Sequence, residues 1–222
     1  MAIQETYNCG PPWFRNKPRE PEWTEMEYQM RNWYYFNWLC GDHILEQHIH
    51  NIDVANWFIG ASLGKDFAHP ISAQGMGGRE VRDGDPKFGE IFDHHFVEFT
   101  YANGAKMYSQ CRHMRNTWTN VSEAAHGSEG TSNCAGRIDG KNEWRFEGKG
   151  VNGHQQEQTD LVATLKAGKR YNEGYYGATS SMTAVLGRMA NYSGKVVKWG
   201  DAMQSDIPLA DIGNVRSMSG GA

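Results

Sequence analysis

Several signatures that would assign a chemistry at once are missing from this sequence. No G-x-G-x-x-G follows a strand and no P-loop occurs, so no stretch offers a nucleotide cradle of its own. No C-x-x-C exists. Cys9, Cys40, Cys111 and Cys134 stand far apart, which argues against a zinc knuckle or a redox pair and leaves buried free thiols. No Lys/Arg-rich run occurs and the net charge is −4, so nothing points to nucleic acid. No apolar run approaches the ~18–20 residues of a membrane span. The first residues, MAIQETYN, have neither the basic flank nor the apolar stretch of a signal peptide.

What is present is a globular composition. The chain has 222 residues, 39% hydrophobic and 22% charged, enough for one sizeable domain with a core that needs no staples. Aromatics are plentiful and cluster in WTEMEYQMRNWYYFNW, residues 23–38. Pro11, Pro12, Pro18 and Pro21 make residues 10–23 an irregular loop, and a long loop in a compact domain is often functional.

Alternation predicts a first strand over 2–8 and another over 69–78 that ends in glycines, followed by a polar loop over 77–90. Two β-rich runs, 90–101 and 105–114, flank Ala102-Asn103-Gly104, a hairpin signal. A further hairpin is expected over 118–138, turning at Gly127–Gly130, and a short strand over 141–148. Residues 154–169 read as an amphipathic helix with Leu161, Val162 and Leu165 on one side, and 174–195 as a second helix ended at Gly194. A short strand and turn follow over 195–203. The order is that of an α+β domain: an open, mostly antiparallel β-sheet with helices packed on one face. Residues 1–204 form this single domain and 205–222 an extended C-terminal tail.

The densest polar stretch is GDHILEQHIHNID, residues 41–53. On a wheel of ~100° per residue, a helix over 43–59 places Ile44, Leu45, Ile49, Ile52, Ala55 and Ile59 on one arc. His43, Glu46, Gln47, His50 and Asp53 fall on the opposite arc, while His48 falls inside the apolar one and is expected in the core. Glu46 and His50 are four residues apart, so they neighbour each other. A carboxylate beside an imidazole is the arrangement of a general base; it is equally that of an exposed ion pair. His43, Glu46 and His50 also offer an alternative metal triad, with His94, His95 or His113 as a further ligand.

Longer segments carry a resemblance. The stretches EYQMRNWYYFNWLCGDHILEQHIHNID (27–53), AQGMGGREVR (73–82), IFDHHFVEF (91–99) and YNEGYYGATSSMTAVLGRMANYSGKVVKW (171–199) resemble the C-terminal domain of the glucose–fructose oxidoreductase / inositol dehydrogenase (Gfo/Idh/MocA) family. The resemblance covers roughly residues 2–204. It implies an open sheet that builds the oligomer and a preceding helix that lines the substrate pocket. The family's Asp and His, four residues apart on that helix, correspond here to Glu46 and His50 as catalytic residues; the Glu is a departure, one methylene longer. Asn32, Trp33, Tyr35, His43, Gln47, Arg79, His94 and His113 become candidates for substrate binding.

The family's Rossmann domain and its Glu-Lys-Pro motif have no counterpart in this sequence. The resemblance therefore implies half an enzyme: an excised domain, a split gene or a repurposed protein. The expected function is the substrate-binding and oligomerisation part of an NAD(P)-dependent sugar or polyol dehydrogenase, not competent for hydride transfer alone. The alternatives are a non-catalytic oligomerisation or sugar-binding module and a metal-dependent sugar lyase or hydrolase. No cofactor is expected to bind this chain alone, with NAD(P) implied for a partnered or full-length enzyme. The expected partners are a second copy of the chain through the sheet, a Rossmann-domain partner and a sugar or polyol, with no nucleic acid and no membrane. The location is cytoplasmic, or periplasmic should an export signal precede this stretch.

Overall fold

The computed structural model describes residues 1–13, 16–82, 84–211 and 213. The chain opens with β1 (Ala2–Cys9), then α1 (Glu25–Arg31), a 3₁₀ turn (Trp33–Tyr35), α2 (Asn37–Cys40), α3 (His43–Glu46) and α4 (Ile49–Ser62). The sheet continues through β2 (Pro70–Gly78), β3 (His94–Tyr101), β4 (Lys106–His113) and β5 (Asn120–His126), then the short β6 (Gly130–Ser132), β7 (Arg137–Gly140) and β8 (Trp144–Arg145). Helices α5 (Gly153–Lys166) and α6 (Gly174–Ser193), strand β9 (Val197–Lys198) and helix α7 (Trp199–Met203) close the domain.

Nine strands form one sheet in the order β8-β7-β6-β5-β1-β4-β3-β2-β9. Only the central pair β1/β4 is parallel; the others are antiparallel. This is the open, mostly antiparallel α+β sheet expected. Alternation sets its two faces. Val97, Phe99 and Tyr101 of β3, with Met107 and Cys111 of β4, point into a core closed by Ile52, Ala55 and Ile59 of α4 and Leu186 and Ala190 of α6. Glycine lets α6 come close: a Cβ on Gly75 of β2 would collide with the Asn191 side chain, and one on Gly187 would press on Phe99. The β3–β4 hairpin turns at Gly104, whose φ is +80°. The aromatic stretch makes a second, smaller core of Tyr28, Tyr34, Tyr35, Phe36 and Ile91. Thr24 and Glu27 close a capping box at the start of α1.

Two expectations are corrected. The helix over 43–59 is broken: the His48 N–H bonds to the His43 carbonyl five residues back (3.2 Å), a wide turn that separates α3 from α4. That extra residue rotates the register, so His43 is fully buried rather than on the solvent arc. Asn51 and Asn56 also turn inward. Helix α5 is present, but Leu161, Val162 and Leu165 stay exposed because nothing in the described residues covers them. The tail expected over 205–222 lies largely outside the described residues. Among the described residues no helix is long and apolar enough to cross a membrane.

Candidate functional site

The parallel strands β1 and β4 end side by side, Cys9 opposite His113. Chain ends emerging from parallel strands are where α/β sheets commonly place ligands. Here α3 and the α3–α4 break lie over those ends, and the polar residues of 41–53 converge with residues from β3, β4 and α6.

Asp42 anchors the group. It follows Gly41 at the end of α2 and adopts a φ of +77°, unusual for a residue with a Cβ. The strain is held by its carboxylate. Oδ1 accepts from the His43 N–H (2.5 Å) and pairs with His43 Nδ1 (2.9 Å). Oδ2 accepts from the Phe92 N–H (2.9 Å) and the Tyr192 hydroxyl (2.7 Å), with His95 Nε2 at 3.2 Å. Burial would raise this carboxyl, but the charge and hydrogen bonds of His95 and His43 outweigh it and hold the group well below the usual range. His43 is pushed down to about 4 by burial, against the pull of Asp42. A neutral His43 that donates from Nδ1 leaves Nε2 as a lone-pair acceptor, buried and without a partner in the structure.

His113 faces the same ring, 4.4 Å from His43 centroid to centroid. Arginine can only donate, so the Arg82 Nη2–His113 Nδ1 contact (3.2 Å) makes Nδ1 the acceptor. Nε2 then carries the proton and donates to Gln47 Oε1 (2.7 Å). This relay fixes the Gln47 amide: its oxygen is used, and its NH₂ group has no partner among the described residues. Burial, with His43 and Arg82 nearby, holds His113 strongly neutral.

Arg82 itself is placed by Asp93. The Asp93 Oδ2 accepts the backbone N–H groups of Glu80, Val81 and Arg82 at 2.7, 2.7 and 2.9 Å, wrapping the 80–82 loop around one carboxylate. Its other oxygen pairs with His94 Nδ1 (2.7 Å). These bonds outweigh burial and keep Asp93 ionised to lower pH than usual. Arg82, Tyr35 and His113 line a cavity of about 680 Å³ between the proline loop, the 81–88 loop and the residues after β4.

The acid–base candidates sit beside this group. Burial raises the Glu46 carboxyl, against the Tyr34 hydrogen bond and the charge of His50. His50 lies exposed at the start of α4. The break therefore leaves Glu46 half-buried and His50 in solvent, still electrostatically coupled. His43, Glu46 and His50 are not brought together as a ligand set. Among the described residues the group close enough to share an ion is Asp42, His43 and His95, whose ligand atoms lie within 4.8 Å of one another.

The other candidates divide. Gln47, His113 and Tyr35 are at the site. Asn32 is fully buried and its side chain is committed to Lys17 and the Tyr28 carbonyl, pinning the proline loop. Trp33 packs on the aromatic core. Arg79 donates to the Arg82 and Gly89 carbonyls and supports the loop. His94 is part-exposed against Asp93. His48 is in the core as expected, bonded to Ser109 Oγ (2.6 Å) and Asn51 Oδ1 (3.3 Å). Sequence reasoning passed over Asp42, Arg82, Asp93 and Tyr192. Of these only Asp42 left a signal, an N-cap-type residue directly before a helix.

The described residues form no dinucleotide cradle: the one parallel strand pair is joined through helices and antiparallel strands, without a glycine-rich strand-to-helix turn.

No family model and no curated protein sequence matches the chain. Solved structures do match in shape. An aldose–aldose oxidoreductase from Caulobacter crescentus, complexed with glycerol, superposes with a TM-score of 0.61 at 15% identity, over 89% of this chain and 55% of that one. The WlbA dehydrogenase from Bordetella pertussis, in complex with NADH and UDP-GlcNAcA, gives 0.58 at 16%, over 89% and 53%. A myo-inositol 2-dehydrogenase from Lactobacillus plantarum gives 0.56 at 15%, over 89% and 56%. The chain thus spans about half the length of the structures it matches. Its fold is that of the C-terminal domain of the Gfo/Idh/MocA-family dehydrogenases.

Proposed function

We propose that this chain is the substrate-side half of an NAD(P)-linked sugar or polyol dehydrogenase. The observation that carries the reading is the Glu46/His50 pair on either side of Gln47, which bonds the cavity-lining His113 at the ends of β1 and β4, in a fold matched by sugar and inositol dehydrogenases. An exposed imidazole with a partly buried carboxylate behind it can take a proton from a substrate hydroxyl. The Gln47 NH₂ group, beside the cavity-lining His113, is a free donor of the kind that holds a polyol hydroxyl. The dinucleotide belongs to a Rossmann-domain partner, so this chain alone transfers no hydride.

The test is saturation-transfer NMR on the purified chain with glucose and myo-inositol, and separately with NADH. A cyclic polyol is expected to bind, His50→Ala and Glu46→Gln to weaken it, and NADH not to bind. A chain that holds no polyol, or holds one indifferently to both variants, removes the reading. Saturable NADH binding would place a cofactor site in this chain.

A second role, assembly through the sheet, is favoured by its uncovered face. Met76 (71% exposed) and Phe96 (40%) pair across β2 and β3 there, in one row with the part-exposed Gln110. Light scattering at micromolar concentration should give at least a dimer; a monomer would end this part.

A further inference from the structure

The cavity beside the site has a charge imbalance that catalysis at a neutral hydroxyl does not require. Arg82, Lys87 and Arg115 line it, and no Asp or Glu is among the described residues that line it. Lys87 has Asp85 as an ion-pair partner outside the cavity. Arg115 is exposed and forms no ion pair among the described residues. Arg82 is the informative member. It is 3% exposed, yet among the described residues its guanidinium meets only neutral groups: the Phe92 carbonyl, His113 Nδ1 at 3.2 Å, and the Tyr35 ring at 5.8 Å. Asp93 binds the backbone of its loop and His94, not its guanidinium.

A buried cation without a paired anion is costly, and native proteins pair such groups or use them. A guanidinium is also suited to bind a carboxylate or phosphate through its forked donors. The cavity, about 680 Å³, is within the range of small-molecule sites and would admit a monosaccharide.

We infer that the pocket takes a sugar bearing an anionic group, a uronate carboxylate or a sugar phosphate. Arg82 is the buried counter-charge, and Arg115 and Lys87 stand at the entrance. The inference rests on the sugar reading above and narrows its substrate class.

Calorimetric titration of the 222-residue chain with D-glucuronate, D-glucose 6-phosphate and D-glucose tests it. At least one charged sugar is expected to bind about tenfold or more tighter than glucose. The preference should shrink between about 0.03 M and about 0.3 M salt, as screening shortens. Which charged sugar binds distinguishes carboxylate from phosphate. Arg82→Gln should abolish the preference; because that variant also alters the core, Arg115→Gln and Lys87→Gln serve beside it and should each reduce the ratio with unchanged thermal melts. Equal binding of glucose and both charged sugars would overturn the inference and leave the sugar reading standing. A preference untouched by all three substitutions would place the anion elsewhere and overturn it too. Absence of any sugar binding would overturn both. A charged sugar bound here, with His50→Ala and Glu46→Gln without effect, would keep the anionic pocket and remove the dehydrogenase role.

Discussion

Two carboxylates of this molecule are equally hidden and shifted in opposite directions. Asp42 and Glu5 are both fully buried. Asp42 sits among donors from His43, Phe92, Tyr192 and His95, and its acidity rises. Glu5 lies on the helix-covered face of β1, between Ser109 of β4 and Glu123 of β5, and neither of its oxygens has a partner. Burial first, and the Glu123 charge second, raise it well above the ordinary value. Burial alone does not set a charge; the donors around a group do. The carboxyl held down is found where the candidate site lies, and the one pushed up lies under α4, where only packing is needed.

The comparison breaks most sharply at Asp42. Asn keeps one acceptor and tolerates the positive φ, so Asp42→Asn isolates the charge and the second oxygen. Removing one partner from a buried charged network costs about 3–5 kcal/mol. Urea unfolding should show a fall of that order at unchanged slope; a loss below about 1 kcal/mol would mean the donors are satisfied elsewhere.

Acid should reach the same network next. His43 and His48 are pushed down to about 4 and about 3, and His113 is lowered further, in each case by burial first. A lowered folded pKa means the unfolded chain binds more protons, so stability rises with pH between the folded values and the ordinary 6.5. These three groups take nothing from stability above pH ~6.5 and progressively more below it, each by about 1.4 kcal/mol per pH unit, together about 4. That slope should unfold a domain of ordinary stability before pH ~4. Circular dichroism melts across pH 4–7 check it; a flat profile would show that the histidines are already charged in the fold.

Glu5 should act in the opposite direction. Its folded pKa is raised, so its contribution is intact below about 4.5 and lost as pH rises toward the folded value, because folding must then take up a proton. Glu5→Met removes the unpartnered acid at similar volume. It should stabilise by about 1–3 kcal/mol at pH 8, with the gain fading toward pH ~4.5. A destabilised variant would point to a partner that Glu5 meets in solution.

How much of this contrast could be read from the sequence follows from distance along the chain. The strands, the 102–104 turn, the α6 stop at Gly194 and the burial of His48 come from local alternation, turn chemistry and periodicity. The Glu46/His50 spacing was legible for the same reason. Burial of His43 was not, because a single five-residue hydrogen bond at His48 changes the phase of everything before it. Arg82, Asp93 and Tyr192 were out of reach for another reason. They meet Asp42 and His113 only through the sheet and α6, and nothing local distinguishes them from surface polar residues. Glu5 alternated correctly with its strand, and the wrong inference would have been that a charged residue marks the solvent face.

The smallest test concerns how far Glu123 contributes to that upward shift. Its carboxylate lies across the strand pair from Glu5 and accepts from Asn51 Nδ2 at 2.5 Å. Gln at this position can present an amide oxygen to Asn51, so Glu123→Gln removes a charge while preserving the hydrogen bond. Like charges disfavour each other's ionisation, so the Glu5 carboxyl should fall slightly toward its ordinary value, with burial still dominant. The alkaline loss of stability should shrink by less than about 1 kcal/mol, a residual that Glu5→Met would remove entirely. If Glu123→Gln flattened the alkaline limb as fully as Glu5→Met does, repulsion and not burial would be what raises the Glu5 carboxyl, and the contrast with Asp42 would come down to neighbouring charge alone.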